Sequence, residues 1–205
     1  MKLNRTTAAS IALGAIALGL LTGCTTSAPQ ATESPSPTPT PTETTRVPVA
    51  PPESEEEAIE QADAVLTEWL ITRGEVNADG GKDPSPLEDL STHRALDLAR
   101  TDAQRFATGP ILNVDGKNIE GPGYTEGSIT YETVAAYGQE WEDVENGLIT
   151  INACQDLSEY KGFASDGSEA MQPEEKRNLV DYQVVYDAER QAWLVYDVIG
   201  LGQTC

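Results

Sequence analysis

Few residues of this chain combine a type and a position suited to catalysis. His93 is its only histidine, and a general base that works near neutral pH is most often a histidine. It lies near the start of a predicted helix, between Thr92 and Arg94, where an exposed, non-catalytic histidine is the simpler interpretation. Asp156 and Asp197 lie on predicted strands, and a surface or hydrogen-bonded role is the simpler interpretation for each. The candidates for a base are therefore Asp156 and His93, without a complete catalytic constellation around them.

Strand periodicity assigns these carboxylates to faces. Alternate residues of a strand point to the same side of a sheet, so Cys154 and Asp156 should share one face. By the same rule Asp197 should share a face with Trp193 and Val195. A buried carboxylate with a raised pKa would indicate a functional site, but burial cannot be read from this pattern.

The sequence contains no complete motif for a metal or a nucleotide. A zinc site needs several clustered nitrogen or sulfur ligands, and the chain has one histidine and three cysteines. Residues 77–83 match part of a calcium loop, but they lack the regular ligand series and the closing glutamate, and Lys82 interrupts them. Residues 121–123 are turn residues without the lysine of a phosphate-binding loop. We expect no metal and no cofactor.

The charge balance excludes some partners. The chain has 13 lysines and arginines against 34 aspartates and glutamates, a formal net charge of −21. Nucleic acids and anionic lipid surfaces attract basic patches, so we expect no nucleic acid partner. A solvated acidic surface is a simpler interpretation than a specific acidic site.

The N-terminus indicates secretion and lipid attachment. Two basic residues precede an uncharged apolar run over 8–21, which is too short for a spanning helix of about 20 residues. The segment Leu21–Cys24 resembles the lipobox of bacterial lipoproteins, whose cysteine is lipidated and becomes the mature N-terminus. This resemblance implies a signal peptide over 1–23 and acyl chains on Cys24. It also implies attachment to the outer leaflet, at the extracellular face of the cytoplasmic membrane. Ordinary cleavage with an incidental Cys24 is the alternative.

The chain after the lipobox divides into a tether and one domain. Residues 24–52 are rich in proline, threonine and serine and offer too little apolar surface to offset chain entropy, so we expect a disordered linker. Residues 53–205 are long enough for a single domain with a core. Cys154 and Cys205 remain as an even pair in an oxidising compartment, where a disulfide is expected. Catalytic free thiols would need local positive charge, and the surroundings are acidic.

Local patterns predict helices first and strands afterwards. A capping box at Ser54 begins a helix over 54–73, which Gly74 should end. A polar loop follows over 74–84, and Pro86 marks a second, short helix. Further elements are predicted as a helix over 91–109 and strands over 111–114, 128–137, 147–157, 179–186 and 192–199. This order predicts an α+β domain with an antiparallel, strongly bent sheet.

This order of segments resembles a group of actinobacterial lipoproteins with a nuclear-transport-factor-2-like (cystatin-like) cone. The resemblance rests on the lipobox, the tether, the long helix with Trp69, and the segments Pro86–Thr92, Ala153–Asp156 and Trp193–Val198 before Cys205. It implies N-terminal helices packed on a curved, cone-like antiparallel sheet. The lipoproteins of this group have no assigned activity, and the wider fold includes enzymes as well as non-catalytic modules.

We therefore expect a membrane-anchored extracytoplasmic lipoprotein with a non-catalytic binding or interaction module. Its partner would be an envelope protein or a small ligand. The alternative is an isomerase- or hydrolyase-like enzyme on the same cone, because in enzymes of this fold a carboxylate inside the cone can act as a base. An open cone interior would favour a ligand, whereas an interior filled by Trp69 and Phe106 would leave only the outer surface.

Overall fold

The computed structural model describes residues 47–205, which belong to a compact unit over Thr45–Cys205. The predicted signal peptide, Cys24 and most of the predicted linker lie outside the described residues. The unit contains two α-helices and antiparallel sheets, so the mixed α+β class predicted from the sequence is correct. Among residues 47–205, no helix is long and apolar enough to cross a membrane.

The first helix, α1, spans Glu55–Ala78 and begins at the predicted cap. The Glu57 amide donates a hydrogen bond to Ser54 Oγ at 3.2 Å. The Glu57 carboxylate accepts a second bond, at 2.8 Å, from the amide of Glu53. These bonds satisfy amides that have no partner within the helix, and the acidic first turn suits the positive end of the helix dipole.

The predicted end of α1 at Gly74 is wrong, because the helix continues to Ala78. A glycine inside a helix costs only about 1 kcal/mol, and contacts beyond it compensate. Asn77 is fully buried, and its Nδ2 donates to the Tyr160 hydroxyl at 3.1 Å. The chain leaves the helix afterwards, through two glycines with positive φ, Gly80 and Gly81.

The other two helical segments follow the sequence pattern. A 3₁₀ helix spans Ser85–Asp89, and the second α-helix, α2, spans His93–Thr108. Gly109 ends α2 with φ +65°. The buried residues of α2 are Ala95, Ala99, Ala103 and Phe106. Leu98, between two of these alanines along the helix, is partly exposed.

Within residues 47–205, eight strands form one large and two small antiparallel sheets. They are β1 (Ile111–Leu112), β2 (Asn118–Ile119), β3 (Tyr124–Glu126), β4 (Thr130–Trp141), β5 (Val144–Asp156), β6 (Lys161–Phe163), β7 (Arg177–Asp187) and β8 (Ala192–Thr204). The large sheet has the order β4-β5-β7-β8, and the small ones pair β1 with β2 and β3 with β6. The four long strands were predicted. The strands β2, β3 and β6 were not predicted, because two or three residues are too few to show an alternation.

A register shift in β8 overturns the predicted face of Asp197. Val195 pairs with Val184 of β7, whereas Asp197 pairs with the adjacent residue, Gln183. Adjacent residues of β7 point to opposite faces, so Asp197 does not share a face with Val195 and Trp193. The extra residue on β8 forms a bulge, and a bulge reverses the alternation beyond it.

Both helices pack on one face of the large sheet and form its main core. Trp69 of α1 and Tyr182 of β7 are fully buried there. Other members include Ala58, Ala62, Leu66, Ala95, Ala99, Ile149, Ile151, Val184 and Val195. The buried tyrosine hydroxyls have partners: Gln155 Nε2 donates to Tyr182 at 2.6 Å, and Tyr186 donates to the Val49 carbonyl at 2.7 Å.

The sulfur atoms of Cys154 and Cys205 lie 2.03 Å apart, at the distance of a disulfide bond. Cys154 lies on β5, an inner strand of the large sheet, and Cys205 follows β8 at the sheet edge. The bond therefore ties the last residue of the chain to the centre of the sheet.

The close contact between the end of α1 and α2 gives a testable prediction at Gly81. A Cβ atom there would lie 1.9 Å from the carbonyl oxygen of Ala103, and φ is +66°. Gly167 also has positive φ, +82°, but a Cβ there meets nothing within 4 Å. Gly81→Ala should therefore lower the free energy of unfolding by about 1–3 kcal/mol more than Gly167→Ala. Urea unfolding of both variants measures this difference, and equal losses would contradict the contact.

Candidate ligand-binding cleft

A cleft of about 510 Å³ opens beside α2. This volume lies within the range of about 300–1,000 Å³ that is typical of small-molecule sites. Its apolar lining residues include Leu98, Phe106, Ile111, Leu112, Ile129, Leu157, Ala170 and Met171. Its polar lining residues are Arg73, Asp102, Arg105, Gln155, Tyr160 and Gln172. An apolar lining with a few polar groups is the usual composition of a ligand pocket.

The two helices bring the charged residues of the cleft together. Arg73 lies on the last turns of α1, close to the glycine that should have ended this helix. Leu98, Asp102 and Arg105 follow one another at helical spacing on α2, beside its buried alanine stripe. None of these four residues was predicted as a site residue from the sequence. The spacing of the three α2 residues was a usable signal, but nothing in the sequence connects them to Arg73.

Arg73 and Asp102 form a largely buried ion pair. Arg73 Nη2 donates to Asp102 Oδ2, and the two side chains are 12% and 17% exposed. Asp102 Oδ1 lies 3.8 Å from Nη2 of Arg105, which is mostly exposed. The Arg73 guanidinium also lies over the ring of Trp69, 5.3 Å from its centroid, a cation–π geometry.

One nitrogen of this arginine has no partner. Arg73 Nε is buried and makes no hydrogen bond within residues 47–205. Buried polar groups are usually hydrogen-bonded, so each exception requires an explanation. This donor belongs to a residue that lines the cleft.

The other polar groups of the cleft are held by the protein. Gln155 donates to the buried Tyr182 hydroxyl, and burial raises the pKa of Tyr182 to about 12. Gln172 Nε2 donates to the Tyr160 carbonyl at 2.9 Å, and Gln172 Oε1 accepts from Lys176 Nζ. These bonds fix the side chains that surround the ion pair.

Asp156 lies next to Gln155 but does not line the cleft. Its Oδ1 accepts a hydrogen bond from the Ser158 amide at 2.8 Å, and its Oδ2 lies 3.6 Å from Arg177 Nε. The hydrogen bonds from Ser158, supported by the charge of Arg177, lower the pKa of Asp156. A general base for neutral pH would need a shift in the opposite direction.

His93 and Asp197 also lie away from the cleft lining. The exposed His93 has its Nδ1 3.2 Å from Thr92 Oγ1, and its ring lies 4.6 Å from that of Tyr196. Asp197 is nearly buried, and its Oδ2 accepts a hydrogen bond from Arg94 Nη1 at 3.1 Å. The contacts of His93 and of Asp156 involve different residues, so the structure does not assemble these two candidates into one site.

The described part of the chain has no group of three or more His, Cys, Asp or Glu side chains placed to hold a metal ion. In the segment 77–83, Lys82 Nζ pairs with Asp79 Oδ1 at 2.9 Å. Asp83 Oδ1 accepts from the Ser85 amide at 3.0 Å.

Comparisons with known proteins add little. No protein family model matches the chain, and no curated protein is similar to it. Among solved structures, it is similar to the intermembrane-space region of the chloroplast protein ARC6. That likeness has a TM-score of 0.42 and 12% sequence identity, and it covers 70% of this chain and 96% of the other. A likeness at this level carries no argument about function.

The raised pKa of Tyr182 predicts a loss of stability at alkaline pH. The folded protein holds this phenolic proton more tightly than the unfolded chain, whose tyrosines titrate near 10. The stabilisation is complete below pH 10 and is lost as the pH rises toward 12, by about 2–3 kcal/mol. The free energy of unfolding is measured with urea at several pH values between 9 and 11.5. In Tyr182→Phe it should fall less steeply with pH than in the unmodified protein. Tyr124→Phe, at a partly exposed site, should keep the pH dependence of the unmodified protein. The same pH dependence in the unmodified protein and both variants would contradict the raised pKa of Tyr182.

Proposed function

We propose that this protein is a membrane-anchored extracytoplasmic lipoprotein whose domain, 53–205, is a non-catalytic binding module. The anchor rests on the lipobox resemblance of Leu21–Cys24. The binding function rests on one observation, the cleft of about 510 Å³ with an apolar lining around a buried ion pair. Its ligand would be a small molecule, because the volume suits one.

We further propose that the large sheet belongs to the cone-like, nuclear-transport-factor-2-like class. Both helices pack on one face of the sheet, as that class requires. Register shifts occur in the pairing of β4 with β5 and of β7 with β8. Bulges of this kind bend strands and increase their twist, which supports a curved sheet.

Binding is a better supported function than catalysis. An isomerase or hydrolyase on this fold would need a cavity carboxylate to move a proton. The candidate from the sequence, Asp156, has a lowered pKa and lies outside the cleft lining. The carboxylate that does line the cleft, Asp102, is engaged by Arg73.

The anchor is tested by Cys24→Ala. Without the thiol no lipid can be attached, so the variant should move from the membrane fraction to the soluble or secreted fraction of the producing cells. Cys205→Ala serves as the control, because it removes a cysteine of the folded domain and should stay with the membrane. Membrane retention of Cys24→Ala would exclude this anchor.

The binding module is tested with the neutral fluorescent probe N-phenyl-1-naphthylamine and a soluble chain that starts at Thr25. The probe should bind saturably. Leu112→Asp should lower the affinity for the probe about tenfold, because the variant replaces an apolar rim residue of the cleft. Val134→Asp is the matched control, since Val134 is 63% exposed and lies on β4, outside the lining. Equal effects of both variants, or no saturable binding, would contradict a cleft site.

A further inference from the structure

We infer that the cleft selects small amphipathic monocarboxylates, with the ligand carboxylate on the Arg73 guanidinium and its apolar body along the inner wall. This inference deepens the proposed function and depends on it. It names the chemical class of the ligand and the residue that recognises it.

The unpartnered donor is Arg73 Nε. This nitrogen is buried without a hydrogen-bond partner in the described part of the chain, while Nη2 of the same group donates to Asp102. A guanidinium presents its donors in a planar fork that matches the two oxygens of a carboxylate. An acceptor in the cleft that reached Nε would satisfy this buried donor, so the site is suited to a ligand oxygen.

Arg73 is held in place by its helix and by two side chains. Its backbone lies within α1, its guanidinium lies over Trp69, and Asp102 binds one of its nitrogens. A group that is already ordered loses little conformational freedom when it binds, so such support favours affinity. Asp102 also compensates the charge of this largely buried arginine.

The local charge favours an anion with a single negative charge. Arg73 and Arg105 line the cleft with one carboxylate, Asp102, so the lining carries one net positive charge. The whole chain has a formal charge of −21, and such a field repels anions of higher charge. A monocarboxylate matches the lining, whereas a polyphosphate would exceed its positive charge.

The apolar lining specifies the rest of the ligand. Phe106, Ile111 and Ile129 are buried at the inner wall of the cleft. Three further lining residues are large, apolar and exposed: Leu98 at 37%, Leu112 at 40% and Met171 at 52%. An apolar ligand body would cover these side chains and remove their surface from water.

The test compares 4-phenylbutyrate with its neutral analogue 4-phenylbutanamide. Isothermal titration calorimetry uses the full chain in lipid nanodiscs, with empty nanodiscs as the blank. The carboxylate should bind at least tenfold more tightly than the amide. Arg73→Met should weaken carboxylate binding at least tenfold and abolish the preference. Arg100→Met removes the same charge from α2 at a residue that pairs with Glu88 outside the cleft, and it should change either affinity less than twofold.

A second variant protects the test against misfolding, because Arg73→Met leaves Asp102 without its partner. The double variant Arg73→Met/Asp102→Leu removes both charges, a replacement that folded proteins often tolerate. It should bind the acid and the amide equally. Equal affinities of the unmodified protein for the acid and the amide would overturn the inference that the ligand is a carboxylate. A preference for the acid that survives in the double variant would also overturn it.

The outcomes also separate this inference from the proposed function. If N-phenyl-1-naphthylamine binds in the cleft but 4-phenylbutyrate shows no advantage over the amide, the binding module stands and the ligand class is wrong. If the probe and both phenylbutyryl compounds fail to bind the unmodified protein, the proposed binding function fails together with the inference.

Discussion

The domain depends on the close approach of two helices to one face of the large sheet. Alanines supply the contact on both helices: Ala58 and Ala62 on α1, Ala95 and Ala99 on α2. Side chains of this size let helix backbones approach their neighbours, and Trp69 fills the remaining space on α1. This packing brings Arg73 and Asp102, from the C-terminal halves of the two helices, into contact. The cleft is a consequence of that packing, since its charged residues come from α1 and α2.

Local signals in the sequence were sufficient to predict the helical segments and the four long strands. The capping residues of α1, the glycine after α2 and the alternation in β7 each act within a few residues, and each was predicted correctly. Prediction failed where a contact between residues far apart in the sequence determines the local structure. Asn77 meets Tyr160 and extends α1 past Gly74, and the bulge near Tyr196 reverses the face of Asp197. The cleft was missed for the same reason, because Arg73 and Asp102 are 29 residues apart in the chain.

The distribution of charge separates the surface from the cleft. Carboxylates outnumber basic residues by 34 to 13 over the chain. Inside the cleft the balance is reversed, because two arginines meet one carboxylate. The positive charge of the cleft is opposite to the negative charge of the surface, and salt screens exposed charges within about 10 Å. The cleft therefore attracts an anion only at short range. Such a site discriminates among ligands after they arrive and contributes little to their capture from a distance.

The contacts of Val49 determine where mechanical force enters the domain. The Val49 amide donates to the Gln191 carbonyl at 2.7 Å, and the Val49 carbonyl accepts from the Tyr186 hydroxyl. A pull on the chain before Val49 is therefore delivered to the turn between β7 and β8. Edge strands are the easiest to peel from a sheet, but the far end of β8 is fastened through Cys205 to the inner strand β5. The edge strand is thus secured near both ends, and tension on the chain before Val49 loads these sheet contacts before it reaches α1.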